Sequence, residues 1–70
     1  MKYKLLKQKM LENNRSDFVK YLSEILGVSV SSASKKLSGE TKFSIEDINL
    51  IAKELNLTAD EIHEIFMEVE

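Results

Sequence analysis

The chain has no cysteine, no proline and only two glycines, and none of its apolar stretches approaches the length of a bilayer span. Without cysteine there are no disulfides and no thiolate-held zinc, so hydrophobic packing, with or without a partner subunit, must hold the fold. A reducing, cytoplasmic setting is the expectation. The opening segment "MKYKLLKQKMLENN" is basic, but lysines interrupt its apolar residues every two or three positions, which suits neither a signal peptide nor a membrane span. A glycine-rich phosphate loop is also missing, and the single histidine lies far along the chain in an acidic segment. The many serines therefore lack any visible apparatus for nucleophilic chemistry. We expect no enzyme, no cofactor and no small-molecule substrate.

What remains is 70 residues, enough for one domain over 1–70. A chain of this length buries only roughly 60% of the surface it exposes unfolded, so its core must be small. The net charge of −2 conceals an asymmetry. Residues 1–42 hold nine Lys/Arg against four acids, a net of +5, whereas residues 43–70 set Lys53 against eight acids, a net of −7. A polyanion responds to the local field, because charges further apart than about 8 Å are largely screened at physiological salt. One end of the domain suits phosphate and the other repels it.

Apolar residues recur at spacings of three and four almost throughout, and no stretch alternates at period two for long, so the fold class is all-α. Tyr3, Leu6 and Met10 predict a first helix over 2–12, ended by Asn13 and Asn14. Phe18, Leu22, Ile25 and Leu26 form one inward stripe of a second helix, starting near Ser16 as cap with Asp17 at its positive end and stopping at Gly27. Ser23 is small where a bulkier side chain would hold the next helix away. "FSIEDI" predicts a fourth helix over 45–55, with Ser44 as N-cap, Asp47 completing a capping box, Phe43 and Ile48 as a staple, and Ile45, Ile48, Ile51, Ala52 and Leu55 buried. "LTADEI" repeats the device with Thr58 and Glu61 for a fifth helix over 59–67, with Ile62, Ile65 and Phe66 inward. Each cap should contribute about 1 kcal/mol.

Between these helices lies "GVSVSSASKKLSGE", residues 27–40, with five serines and a glycine near each end. Ser29 is a natural N-cap and Gly39 a natural stop for a helix over 30–38. At about 100° per residue, Ala33 and Leu37 share the inward face and Val30 borders it. Ser31, Ser32 and Lys35 face outward, with Lys36 on a flank. A helix with such small exposed side chains can approach closely into a major groove about 12 Å wide. Its hydroxyls can meet base edges or phosphates, and Lys35 can reach guanine or the backbone. The second helix, the turn at Gly27 and this third helix read as a helix-turn-helix.

"FVKYLSEILGVSVSSASKKLSGETKFSIEDINLIAKELNLTADEI" resembles the Cro- and repressor-like helix-turn-helix family of phages and bacteria, most specifically in "LGVS", "SKKLSG" and "FSIEDINLIAKELNLTADEI". The resemblance implies the compact five-helix lambda-repressor-like fold and a transcriptional regulator that binds double-stranded operator DNA, usually as a homodimer. It places the base-reading face on Val30, Ser31, Ser32 and Lys35, with Ser34, Lys36, Ser38 and Lys42 near phosphate. The chain departs from the family where Val19 replaces a frequent glutamine and Ser23 a frequent alanine. Its readout positions also lack a bidentate group, and such groups give about 1–3 kcal/mol of discrimination per base. Sequence preference then leans on DNA shape and on Val30 against a thymine methyl.

Other features carry less. Lys2, Lys4, Lys7 and Lys9 point in several directions, an ordinary solvated face, and of them only Lys7 and Lys9 are kept, as weak phosphate candidates. Asp60, His63 and Glu64 have a spacing that could hold a cation, but one imidazole on an acidic helix is more often solvated, and we expect no metal site. Leu57, Phe66 and Val69 are candidates for a dimer surface on the acidic half, with core packing as the alternative. The rival to DNA binding is a protein-interaction module, an antirepressor or adaptor, whose acidic half engages a basic partner.

Overall fold

The computed structural model describes residues 3–67, and all regular structure among them is helical. Helix α1 spans Lys4–Glu12, α2 Phe18–Leu26, α3 Val30–Ser38, α4 Ile45–Leu55 and α5 Ala59–Ile62; α5 runs directly into a π-helical turn over His63–Met67. The all-α, five-helix expectation is met. Leu6 and Met10 of α1, Tyr21 and Leu22 of α2, and Ala33 and Leu37 of α3 bury their side chains in one core. Ile51 and Leu55 of α4 and Ile65 of the π turn complete it.

The stop and start signals act as the residue types require. Asn14 takes a left-handed conformation (φ 61°) after α1, and Gly27 and Gly39 do so after α2 and α3. Both capping boxes form: Ser44 Oγ accepts from the Asp47 amide at 3.0 Å while Asp47 accepts from the Ser44 amide at 3.0 Å. Thr58 and Glu61 exchange the equivalent pair at 3.2 and 2.8 Å. Each box satisfies two helix-end donors that would otherwise lack partners.

Three expectations are corrected, on the cap of α2, on Ile45 and on the fifth helix. Ser16 does not cap α2; the N-cap position is Asp17, and its carboxylate is held by Arg15 instead of by helix amides. Ile45 is not buried but 79% exposed, because it lies about 120° around α4 from fully buried Ile51. Phe43 also meets Tyr3 and Phe66, with ring centroids 5.0 and 5.3 Å away in edge-to-face arrangements that the sequence reading did not foresee. The fifth helix stays α-helical for only four residues before the wider winding takes over. That widening, rare outside local bulges, accompanies burial of Ile65 and the seating of Phe66 in the aromatic cluster.

Candidate nucleic-acid interface

The turn between α2 and α3 is built around Ser23. Its carbonyl accepts from the amides of Gly27 at 2.9 Å and Val28 at 3.1 Å, so the chain reverses within one turn of the end of α2. The Ser23 side chain is buried and donates to the Lys20 carbonyl at 2.6 Å, which satisfies its hydroxyl inside α2. Gly27, at φ 68° and ψ 33°, supplies the left-handed step that a side chain resists. Val28 then packs on the core and Ser29 caps α3, its Oγ accepting from the Ser32 amide at 3.1 Å.

These constraints set α3 against α2 through its smallest inward residue. Ala33 is fully buried and Leu37 5% exposed, whereas Ser31, Ser32, Ser34, Lys35 and Ser38 are exposed. Val30 is 55% exposed at the start of that face. The wheel drawn from the sequence is therefore realised: α3 is anchored in the core by Ala33 and Leu37, and its serine-lined face lies outside it. Lys35 and Lys36 in its last turn also complement the negative end of the helix dipole.

The exposed groups are not equivalent. Among the described residues, Ser31, Ser34 and Lys35 have no side-chain partner within the domain. The Ser38 hydroxyl donates to the Lys35 carbonyl at 3.1 Å, so its proton is engaged unless it rotates away from that bond. The Ser32 hydroxyl accepts from Ser29 Oγ at 3.1 Å, which orients it while leaving its own proton for a ligand.

The lysines separate in the same way. Lys36, placed near phosphate by the sequence reading, is turned inward: its ammonium lies 2.8 Å from Asp47 Oδ2 and 3.3 Å from the Lys42 carbonyl. Lys9 is paired with Glu61 and lies 3.6 Å from Glu12. Arg15, which the sequence reading did not single out, makes two bonds to Asp17 at 2.9 and 3.0 Å and a third to Glu24 at 3.3 Å. Its signal was an acid two residues on, with another within reach across α2. Lys42 is exposed, Lys7 half-buried, and Lys2 lies outside the described residues. The cations left facing solvent include Lys4, Lys20, Lys35 and Lys42.

The ion pairs shift titration as their geometry requires. Hydrogen bonds from Lys9 hold Glu61 below the usual carboxylate range, and those from Arg15 do the same for Asp17. Burial pushes Asp47 up, but Lys36 and the Ser44 amide outweigh it and leave the carboxyl lowered.

Of the candidate dimer residues, Leu57 and Phe66 are half-buried against the domain's own core, and Val69 lies outside the described residues. Among the described residues no group of three His, Asp or Glu side chains is gathered closely enough to hold a metal ion, and no helix is long and apolar enough to cross a membrane.

The family model of the BetR domain matches residues 4–67, all but three of the residues from the first turn of α1 to the end of the chain. No curated protein and no solved structure matches the chain. The chain belongs to the BetR domain family, and its helices 2 and 3 form the helix-turn-helix pairing. The likeness to Cro- and repressor-like regulators rests on the quoted motifs alone.

Proposed function

We propose that this BetR-domain chain is a sequence-preferring double-stranded DNA-binding transcriptional regulator, a repressor of the phage type, that sets α3 in the major groove of an operator. The observation that carries the reading is the placement of α3. Its apolar side is sealed by Ala33 and Leu37, while Ser31, Ser32, Ser34 and Lys35 face outward on a helix slim enough for the groove. Lys35, Lys42 and the hydroxyls meet phosphates and base edges, with Val30 beside a thymine methyl. The protein acts in the cytoplasm, needs no cofactor and performs no catalysis. A homodimer would address two half-sites about 34 Å apart and so a palindromic operator.

Selection of bound fragments from random duplex DNA tests this directly. A recovered palindrome with that spacing supports the dimeric reader. Lys35→Glu should abolish duplex binding with helicity retained and leave no salt-dependent affinity behind. Unchanged binding by that variant would defeat the reading. A second reading, a protein-interaction module such as an antirepressor or adaptor, is favoured by one observation: Lys9, Arg15 and Lys36 are ion-paired within the domain and so offer less to a polyanion.

A further inference from the structure

We propose that Lys36 is a positioning residue of the DNA-reading surface and not one of its phosphate ligands: through its ion pair with Asp47 it locks the segment carrying Lys42 against the end of α3. The inference rests on the DNA-binding reading above and assigns Lys36 a different part in it.

Three observations carry it. The Lys36 and Asp47 side chains are only 16% and 15% exposed, the most shielded of the ion pairs among the described residues. Asp47 cannot swing out to follow Lys36, because the same Oδ2 accepts from the Ser44 amide at 3.0 Å in the capping box of α4. Withdrawing the ammonium toward a phosphate would leave a shielded carboxylate short of its countercharge, the costly half of a broken pair. An ammonium has three donors, of which Asp47 and the Lys42 carbonyl take two, and the shielding leaves the third little open surface.

The backbone shows what the clasp holds. The Lys35 carbonyl accepts from the amides of Glu40 at 2.9 Å and Thr41 at 3.2 Å, and Lys36 Nζ donates to the carbonyl of Lys42. Residues 40–42 are thus tethered to the last turn of α3 at successive positions. The exposed Lys42 side chain leaves from backbone whose distance to Lys35 is fixed, and Lys35 and Lys42 reach the duplex as a pair with one spacing.

Positioning and direct contact differ in their salt dependence. Each lysine that neutralises a phosphate adds about one to the slope of log affinity against log salt, whereas a residue acting through others changes affinity and leaves the slope intact. We would measure binding of Lys36→Met, Lys36→Arg, Asp47→Asn and the Lys36→Met/Asp47→Asn double variant to a duplex enriched by the selection above. The measurements would span a salt series at a temperature where circular dichroism shows every variant folded. The expected result is a loss of roughly tenfold for Lys36→Met with unchanged slope. A similar loss is expected for Asp47→Asn, with no further loss in the double variant and substantial rescue by arginine. A slope reduced by about one, with Asp47→Asn binding as tightly as wild type or tighter, would make Lys36 a phosphate ligand and overturn the proposal. Wild-type affinity in the folded single variants would reduce the clasp to a stabilising contact and overturn it equally. Failure of the wild-type protein to bind any duplex would remove the DNA reading and this inference with it.

Discussion

The guanidinium carbon of Arg15 sits 3.9 Å from the centroid of the Tyr21 ring, while its nitrogens hold Asp17 and Glu24. The ring's hydroxyl donates to Glu54 of α4 at 3.3 Å. Tyr21 thus joins the loop before α2 to α4, with its body in the core and its polar tip at the edge, an arrangement to which this amphipathic side chain is suited.

Truncating that ring separates its packing from its polar bond. Tyr21→Ala should cost about 3–5 kcal/mol in chemical denaturation, as for other large buried aromatic side chains, and leave a domain this small largely unfolded. Tyr21→Phe removes only the bond to Glu54 and should cost about 1 kcal/mol or less.

Gly27 offers a cleaner test of backbone strain. A Cβ built there meets nothing within 4 Å, so crowding is absent and only the positive φ of 68° opposes a side chain. Gly27→Ala should therefore cost about 1–2 kcal/mol, read as a lowered denaturation midpoint with unchanged m-value. A larger cost would mean that the turn itself rearranges.

Ile45 and Ile51 lie on one helix with opposite environments, 79% exposed against fully buried. Ile45→Ser should change stability by no more than about 0.5 kcal/mol, whereas Ile51→Ala should cost about 2–5 kcal/mol. Comparable losses in thermal melts would show that Ile45 is covered in solution.

Acid should weaken the fold in a defined window. Asp47, Glu61 and Asp17 all titrate below their ordinary values, so each stabilises the fold above its unfolded value and loses that contribution as pH falls through its folded one. Melting temperature should be level from about pH 7 to 5 and drop below about pH 4. Asp47→Asn should make the drop shallower. Lys9 is raised by its hydrogen bond to Glu61, so its contribution persists below the ordinary lysine range and fades only as strong alkali deprotonates it.

Local chemistry was legible in the sequence wherever a residue type acts on its own neighbours. Ser29 and Gly39 bound α3 as their caps require, Ala33 and Leu37 face the core, and both capping boxes close. The departures arise where a partner outside the helix's own apolar pattern decides. Arg15 competes for the Asp17 carboxylate, and Asp47 and Glu61 draw Lys36 and Lys9 inward from what periodicity alone presents as solvated faces. The seating of Phe66 against Tyr3 and Phe43 accompanies a change of helical winding that no three-and-four spacing announces. The outward serine face was readable because exposure needs no partner. The sorting of the lysines into paired and solvent-facing was not, because Lys36 and Lys9 are each drawn in by an acid 11 or 52 residues away.

Each capping box closes with an acid that also grips a lysine from an earlier helix: Asp47 with Lys36, and Glu61 with Lys9. The start of a late helix is thereby made conditional on the docking of an early one. Loosening of α1 should be transmitted across 52 positions of sequence to the first turn of α5, so that amide exchange at both ends of the domain proceeds in a single cooperative opening and not by independent fraying.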